Sequence, residues 1–200
     1  MDIDYKNYHR DDDYNKREST FSNIFQKRFN LIKKYYSPKS NGKVLDIGCS
    51  NGVFLDIFKK NNFETWGVEP SETAENAKSK NHKITNLNFE KADLPVNYFD
   101  IVIMNHVLEH LVNPQKILIK IKEVLKKDGI VYIDAPNVGS LLSKILGNRW
   151  PYLLPDEHLW QFDKKSLTKV VEKAGFKILH WVSRSGIFEY ANPLKELKRK

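Results

Sequence analysis

Apolar positions along this chain keep two alternating rhythms, one of helices and one of buried strands. From Thr20 to Tyr36, residues Phe21, Ile24, Phe25, Phe29 and Ile32 recur at helical spacing and predict an amphipathic helix. Ser37-Pro38-Lys39-Ser40-Asn41-Gly42 reads as a loop, and a first strand follows over 43–48. A helix over 52–61 turns Phe54, Leu55, Ile57 and Phe58 inward, and a second strand covers 64–69. Ser71 is placed to cap a helix over 72–80, with Glu72 and Glu75 suiting its first turn. A short third strand is expected near 86–90.

The run Phe99-Asp100-Ile101-Val102-Ile103-Met104 is nearly unbroken apolar sequence, as a buried parallel strand requires. Asn113-Pro114 opens a helix to Lys127, proline suiting its first position, and Asp128-Gly129 ends it. A fifth strand runs from Gly129 to Ala135, Ser166 caps a helix to Ala174, and a sixth strand covers 177–183. The alternation predicts an α/β sandwich with a mostly parallel sheet. Only Gly186-Ile187-Phe188-Glu189-Tyr190 is left for a final antiparallel strand, which is therefore expected to be short or missing. Such an edge is open to pairing and to homodimer formation.

The chemistry concentrates at the ends of the first two strands. Val44-Leu45-Asp46-Ile47-Gly48-Cys49-Ser50-Asn51-Gly52 carries an apolar strand into a small-residue turn, and a helix opens directly after it. The next strand, Trp66-Gly67-Val68-Glu69-Pro70, ends on a carboxylate. This order builds a nucleoside pocket at the carboxyl edge of a parallel sheet, with Glu69 placed to accept from a ribose diol. Asp46 adds a second carboxylate at the turn. It would repel the pyrophosphate of a nicotinamide dinucleotide and welcome a cation. A ligand with a ribose, an ammonium, a sulfonium and no phosphate is S-adenosyl-L-methionine. Cys49 reads as a small residue filling the turn rather than as a nucleophile.

Three later motifs follow in order: Glu69-Pro70-Ser71, Ala92-Asp93-Leu94-Pro95 and Asn105-His106-Val107-Leu108-Glu109-His110-Leu111. With Asp46-Ile47-Gly48-Cys49-Ser50-Asn51-Gly52 they make the chain resemble a class I S-adenosylmethionine-dependent methyltransferase over residues 20–183. It looks closest to the group of ubiquinone-biosynthesis-type and other small-molecule methyltransferases. The resemblance implies a three-layer Rossmann-like fold, with 1–19 a flexible N-terminal segment and 20–200 the domain. The family's first motif reads roughly Asp/Glu-x-Gly-x-Gly-x-Gly. Here Ser50 replaces the middle glycine and is expected to avoid a strongly positive φ.

Carried onto these motifs, the implied cofactor contacts are Asp46, Gly48, Cys49, Ser50, Asn51, Gly52, Glu69, Pro70, Ala92, Asp93, Leu94, Asn105 and His106. Asp93 would accept from the adenine amine, while Glu109 and His110 would lie toward the acceptor. His110 reads either as a general base or as a residue lining and bracing the site.

Between the fifth strand and the last helix lies an aromatic and apolar insert, 136–163, of a length usual in lids and binding segments. By resemblance, the run His158-Leu159-Trp160-Gln161-Phe162 closes over the acceptor, with His158, Trp160 and Trp150 as acceptor-binding residues. The alternative is a helical hairpin that seals the core. An apolar lid favours a small apolar or sugar-like acceptor and O-methylation. Tyr5, Tyr8 and Tyr14 are placed to add to it.

Composition narrows the setting. Two hundred residues at 40% hydrophobic suffice for a core without staples. One cysteine rules out an internal disulfide framework and suits a reducing compartment. The polar start is no signal peptide and no run reaches a transmembrane length, so a cytoplasmic protein is expected. The net charge of +8 rests largely on lysines spread along helix exteriors, such as Lys116, Lys120, Lys122, Lys126 and Lys127. They are not interleaved with aromatic residues, which argues against a nucleic-acid platform. No metal is expected. An RNA methyltransferase and a cofactor-binding protein without turnover remain the alternatives.

Overall fold

The computed structural model describes residues 18–36 and 41–183. They form two compact units. One comprises residues up to Asn105 together with Lys120–Ile133, the other His106–Ile119 together with residues from Asp134 onward.

The first unit carries the sheet. Its elements are α1 (Glu18–Tyr35), β1 (Lys43–Ile47), α2 (Val53–Lys60), β2 (Glu64–Val68), α3 (Ala74–Ser79), β3 (Lys83–Thr85) and β4 (Phe99–Asn105). Helix α4 (Pro114–Val124) leads into β5 (Leu125–Asp134). The strands lie in the order β3-β2-β1-β4-β5, and β1–β2, β1–β4 and β2–β3 pair in parallel. This is the expected α/β fold. β4 is buried through its first six residues, which is why it lacks polar alternation. Phe54, Leu55, Ile57 and Phe58 are buried on α2, and Phe25 of α1 stacks on Phe54 at 4.6 Å between ring centroids. Phe29 meets Phe58 edge-on at 4.8 Å, so α1 and α2 share one aromatic seam.

Several boundaries move for tertiary reasons. α4 stops at Val124, and 125–128 join β5 rather than extending the helix. Leu125 is buried, Lys126 Nζ donates to both oxygens of Asp100, and a side chain at Gly129 would strike Leu125 and the Asp100 carbonyl. Contacts to the start of β4 thus override the helical pattern. β3 lies at 83–85 rather than 86–90, in register with Trp66, Gly67 and Val68. Asn86 leaves the sheet there to donate to the carbonyls of Glu69 and Ser71. The last helix is capped by Asp163, not Ser166. Asp163 accepts from the Ser166 N–H, and the Ser166 hydroxyl accepts from the Asp163 N–H, forming a reciprocal box.

The second unit holds a 3₁₀ turn (Leu108–His110), α5 (Leu141–Leu146), a 3₁₀ turn (Gly147–Arg149) and α6 (Lys164–Lys173). The expected sixth strand at 177–183 is absent: those residues form no ladder. The candidates at 186–190, the segment 1–17 with Tyr5, Tyr8 and Tyr14, and 37–40 of the predicted loop lie outside the described residues. No helix among the described residues is long and apolar enough to cross a membrane.

Candidate cofactor turn and histidine cluster

In the first unit the chain leaves β1 through three residues of positive φ, namely Gly48 (73°), Ser50 (47°) and Gly52 (79°). The expectation for Ser50 is overturned, since it occupies the left-handed region despite its Cβ. That conformation costs a non-glycine residue about 1–2 kcal/mol. The offset is visible: the Ser50 N–H donates to Glu69 Oε2 at 2.8 Å. The other oxygen, Glu69 Oε1, accepts from the Ser71 N–H at 2.9 Å. Ser71 therefore serves the carboxylate instead of capping a helix, and α3 starts later, behind Thr73. Glu69, buried just past β2, joins the two turns through backbone donors.

Asp46 is buried on β1, and burial followed by the nearby Glu69 charge holds its carboxyl well above the usual carboxylate range. No salt bridge reaches Asp46 or Glu69 among the described residues. Asp46 Oδ1, Ser50 Oγ and Asn105 Oδ1 are all buried without a hydrogen-bond partner among the described residues. β1 and β4 are adjacent, with Ile47 opposite Met104, so Asp46 and Asn105 belong to neighbouring strand ends. Buried polar atoms are nearly always paired, and orphans at one sheet edge point to a ligand. Two close carboxylates select a cation for it. These residues fit the ribose and cationic headgroup of S-adenosylmethionine.

Cys49 packs into the space left by Gly67, where a Cβ would lie 2.5 Å from the sulfur. Burial, then Asp46 and Glu69, push its thiol well up, so it is an inert filler. Asn51 is buried and Pro70 half-buried. Ala92 and Leu94 turn inward while Asp93 between them is exposed. Sequence reading passed over Gly67 and His82. A glycine inside a strand signals close backbone or side-chain approach and marks the first. His82 has no local signature. Its buried ring bridges Thr65 Oγ1 (2.8 Å) and Asp56 Oδ1 (3.1 Å), and a Cβ on Gly52 would come within 2.9 Å of it.

The second unit gathers the other predicted residues. His106 has φ 56°, its N–H donates to the Asp134 carbonyl, and its ring stacks against Tyr152. This kink leads into the Leu108–His110 turn, where Glu109 is 1% exposed. His106 Nδ1 lies 3.3 Å from Glu109 Oε1 and His158 Nε2 lies 4.0 Å from it. The His110 and His158 rings meet edge-on at 4.8 Å. Neither Glu109 oxygen has a hydrogen bond among the described residues.

The segment bearing His158 is strapped to this turn. The Trp160 N–H donates to the Glu109 carbonyl at 3.0 Å and the indole N–H to the Leu111 carbonyl at 2.9 Å. His110 Nδ1 lies 2.9 Å from the Glu157 carbonyl. A carbonyl only accepts, so Nδ1 carries the proton there. His158 and Trp150 are buried while Trp160 stays 44% exposed, as do Leu141 and Ile145 to a greater degree.

A family model described as a methyltransferase domain matches residues 20–181. A ubiquinone biosynthesis O-methyltransferase of Haemophilus ducreyi is 30% identical over 127 residues, covering 55% of this chain and 52% of that protein. The chain thus spans about half the length of that relative. An S-adenosylmethionine-dependent methyltransferase from Thermotoga maritima superimposes with a TM-score of 0.67 at 21% identity, covering 84% of this chain and 77% of the other. One from Archaeoglobus fulgidus does so with 0.60 at 26% identity, covering 78% and 69%.

Proposed function

Because the chain belongs to the methyltransferase-domain family, we propose that it is an S-adenosylmethionine-dependent methyltransferase that O-methylates a small apolar or sugar-like acceptor. The observation that carries this reading is the buried Asp46–Glu69 pair. It sits beside orphaned Ser50 and Asn105 oxygens, with no basic side chain in a salt bridge to either carboxylate among the described residues. A turn of this charge opposes a dinucleotide pyrophosphate and suits an ammonium and a sulfonium.

S-adenosylmethionine, when bound, supplies a methyl group already activated on sulfur. The protein's own part is recognition, orientation and proton handling. Glu69, its two oxygens fixed by backbone donors, accepts from the ribose hydroxyls through its remaining lone pairs. Asp46 faces the cationic end, while Gly48, Cys49, Ser50, Asn51 and Gly52 shape the turn. Pro70, Ala92, Asp93, Leu94 and Asn105 complete the contacts that the first unit offers, with Asp93 serving the adenine amine.

We assign the acceptor to the second unit, with His158, Trp160 and Trp150 holding it and Glu109 and His110 handling its hydroxyl proton. Orientation of a nucleophile is worth about 7–11 kcal/mol of barrier. Proton removal adds about 10²–10⁴-fold. The relative named for ubiquinone biosynthesis supports oxygen as the acceptor atom, and the lone cysteine supports a reducing, cytoplasmic setting.

Calorimetry with S-adenosylmethionine and NAD, followed by labelled methyl transfer onto a panel of hydroxylated acceptors, tests the reading. Preference for NAD overturns the cofactor. Cofactor binding without labelled product from any acceptor replaces the enzyme with a binding protein. Labelling of RNA, with steeply salt-dependent binding, replaces the small acceptor.

A further inference from the structure

We propose that Glu109, His110 and His158 form a binding site for one first-row divalent transition metal of the Zn²⁺ class. The proposal revises the metal-free expectation and deepens the proposed function, on which its acceptor role rests.

The three side chains are buried, and each offers a ligand atom within 4.8 Å of the other two. They come from positions 49 residues apart, His158 being brought to the turn by the Trp160 strap. Buried carboxylates require partners. Glu109 is 1% exposed, and its two oxygens lack hydrogen bonds among the described residues. His106 Nδ1 at 3.3 Å engages Oε1 alone.

The histidine chemistry is set for ligation. With Nδ1–H of His110 donated to the Glu157 carbonyl, its Nε2 keeps a lone pair. A ring nitrogen fixed by a backbone carbonyl is the usual outer-shell support of a metal-bound imidazole. For His158, Nε2 is the nitrogen nearer the carboxylate, at 4.0 Å.

Donor type selects the ion. Two imidazoles with one carboxylate suit Zn²⁺, Fe²⁺ or Ni²⁺, whereas Mg²⁺ and Ca²⁺ prefer oxygen cages. Ligands about 2.0–2.2 Å from one tetrahedral Zn²⁺ lie about 3.3–3.6 Å apart, so loading would draw the three ligand atoms, which lie within 4.8 Å of one another, closer together. Three protein ligands leave a coordination position open. A hydroxyl oxygen of the acceptor would occupy it, and the ion would make that hydroxyl more acidic. With Glu109 and His110 ligating, they would act on the hydroxyl proton through the ion, and that proton would leave to solvent.

The test uses the full chain stripped with chelator and titrated with Zn²⁺, Co²⁺ and Mg²⁺ without S-adenosylmethionine. Calorimetry should show one equivalent of Zn²⁺ bound at micromolar Kd or tighter and no comparable Mg²⁺ binding. The Co²⁺ complex should give the intense visible bands of a four- or five-coordinate site, a readout that needs no variant. Glu109→Gln and His158→Ala, verified as folded by circular dichroism, should weaken Zn²⁺ by at least about 100-fold. Glu69→Ala should leave Zn²⁺ binding unchanged.

Absence of stoichiometric Zn²⁺, tighter Mg²⁺ than Zn²⁺, or Zn²⁺ affinity unchanged in both folded cluster variants overturns the site. The methyltransferase reading fails separately, by loss of S-adenosylmethionine binding in the same stripped protein.

Discussion

The turn after β1 and the cluster around Glu109 both bury carboxylates, but they treat the charge oppositely. At the turn, Asp46 and Glu69 stand close together, and what contacts Glu69 is backbone N–H, which orients the carboxylate without neutralising it. In the cluster, Glu109 lies between the imidazoles of His106 and His158. A site that leaves negative charge uncompensated is built to be completed by a diffusible cation. A site that rings a carboxylate with imidazoles is built to exchange protons or hold a metal ion. The backbone differs in the same sense. The turn spends left-handed conformations at Gly48, Ser50 and Gly52 to bring donors together. The cluster relies on a distant strap.

The comparison breaks most visibly in turnover. Glu109→Gln and His110→Ala should each lower methyl transfer by about 10²–10⁴-fold, with S-adenosylmethionine affinity within about twofold of wild type by calorimetry. Equal losses in both quantities would erase the division between the regions.

Glu69→Ala should do the reverse. Cofactor binding should weaken by about 1–3 kcal/mol as ribose hydroxyls lose a charged acceptor. Zn²⁺ affinity should not move. An unchanged cofactor Kd would remove Glu69 from the site.

Asp46 gives a pH test with a defined sign. Its carboxyl is raised by burial and by Glu69, so the folded ligand-free protein holds a proton that the unfolded chain has released. Stability then falls as pH climbs from the ordinary carboxylate range, about 4, through the raised value. Asp46→Asn should flatten that part of the thermal-midpoint profile, raise the ligand-free midpoint at neutral pH, and weaken S-adenosylmethionine. A midpoint lowered at neutral pH would show that the charge is already satisfied.

The smallest effect is expected at Trp160. Its half-exposed ring makes the strap's indole bond to Leu111 and stacks near Phe162 at 6.3 Å. Trp160→Ala should weaken the acceptor by about 0.5–1.5 kcal/mol, the worth of an aromatic contact. Cofactor binding should be nearly untouched. A change in cofactor Kd alone would make the strap a support and not an acceptor contact.

Much of the first unit could be read from local pattern. The helix from Thr20 was legible because its apolar face repeats at 3.6 residues, and β4 because six successive buried positions leave no room for alternation. Asp46, the glycines and Glu69 were legible because strand, turn and strand end lie within 24 residues of sequence. The positive φ at Ser50 was not. It follows from a hydrogen bond to a side chain 19 residues away. The early end of α4 and the late Asn86 were also set by remote partners, Asp100 for one and Glu69 with Ser71 for the other.

By itself, then, the amino-acid sequence determined the α/β alternation, the turn and its acidic character. These depend on periodicity, on residue size and on charges a few residues apart. Tertiary structure decided where helices yield to strands, which backbone strain is tolerated, and that His158 joins Glu109 and His110. Each of these rests on contacts between residues remote in the chain, whose energies no local pattern encodes.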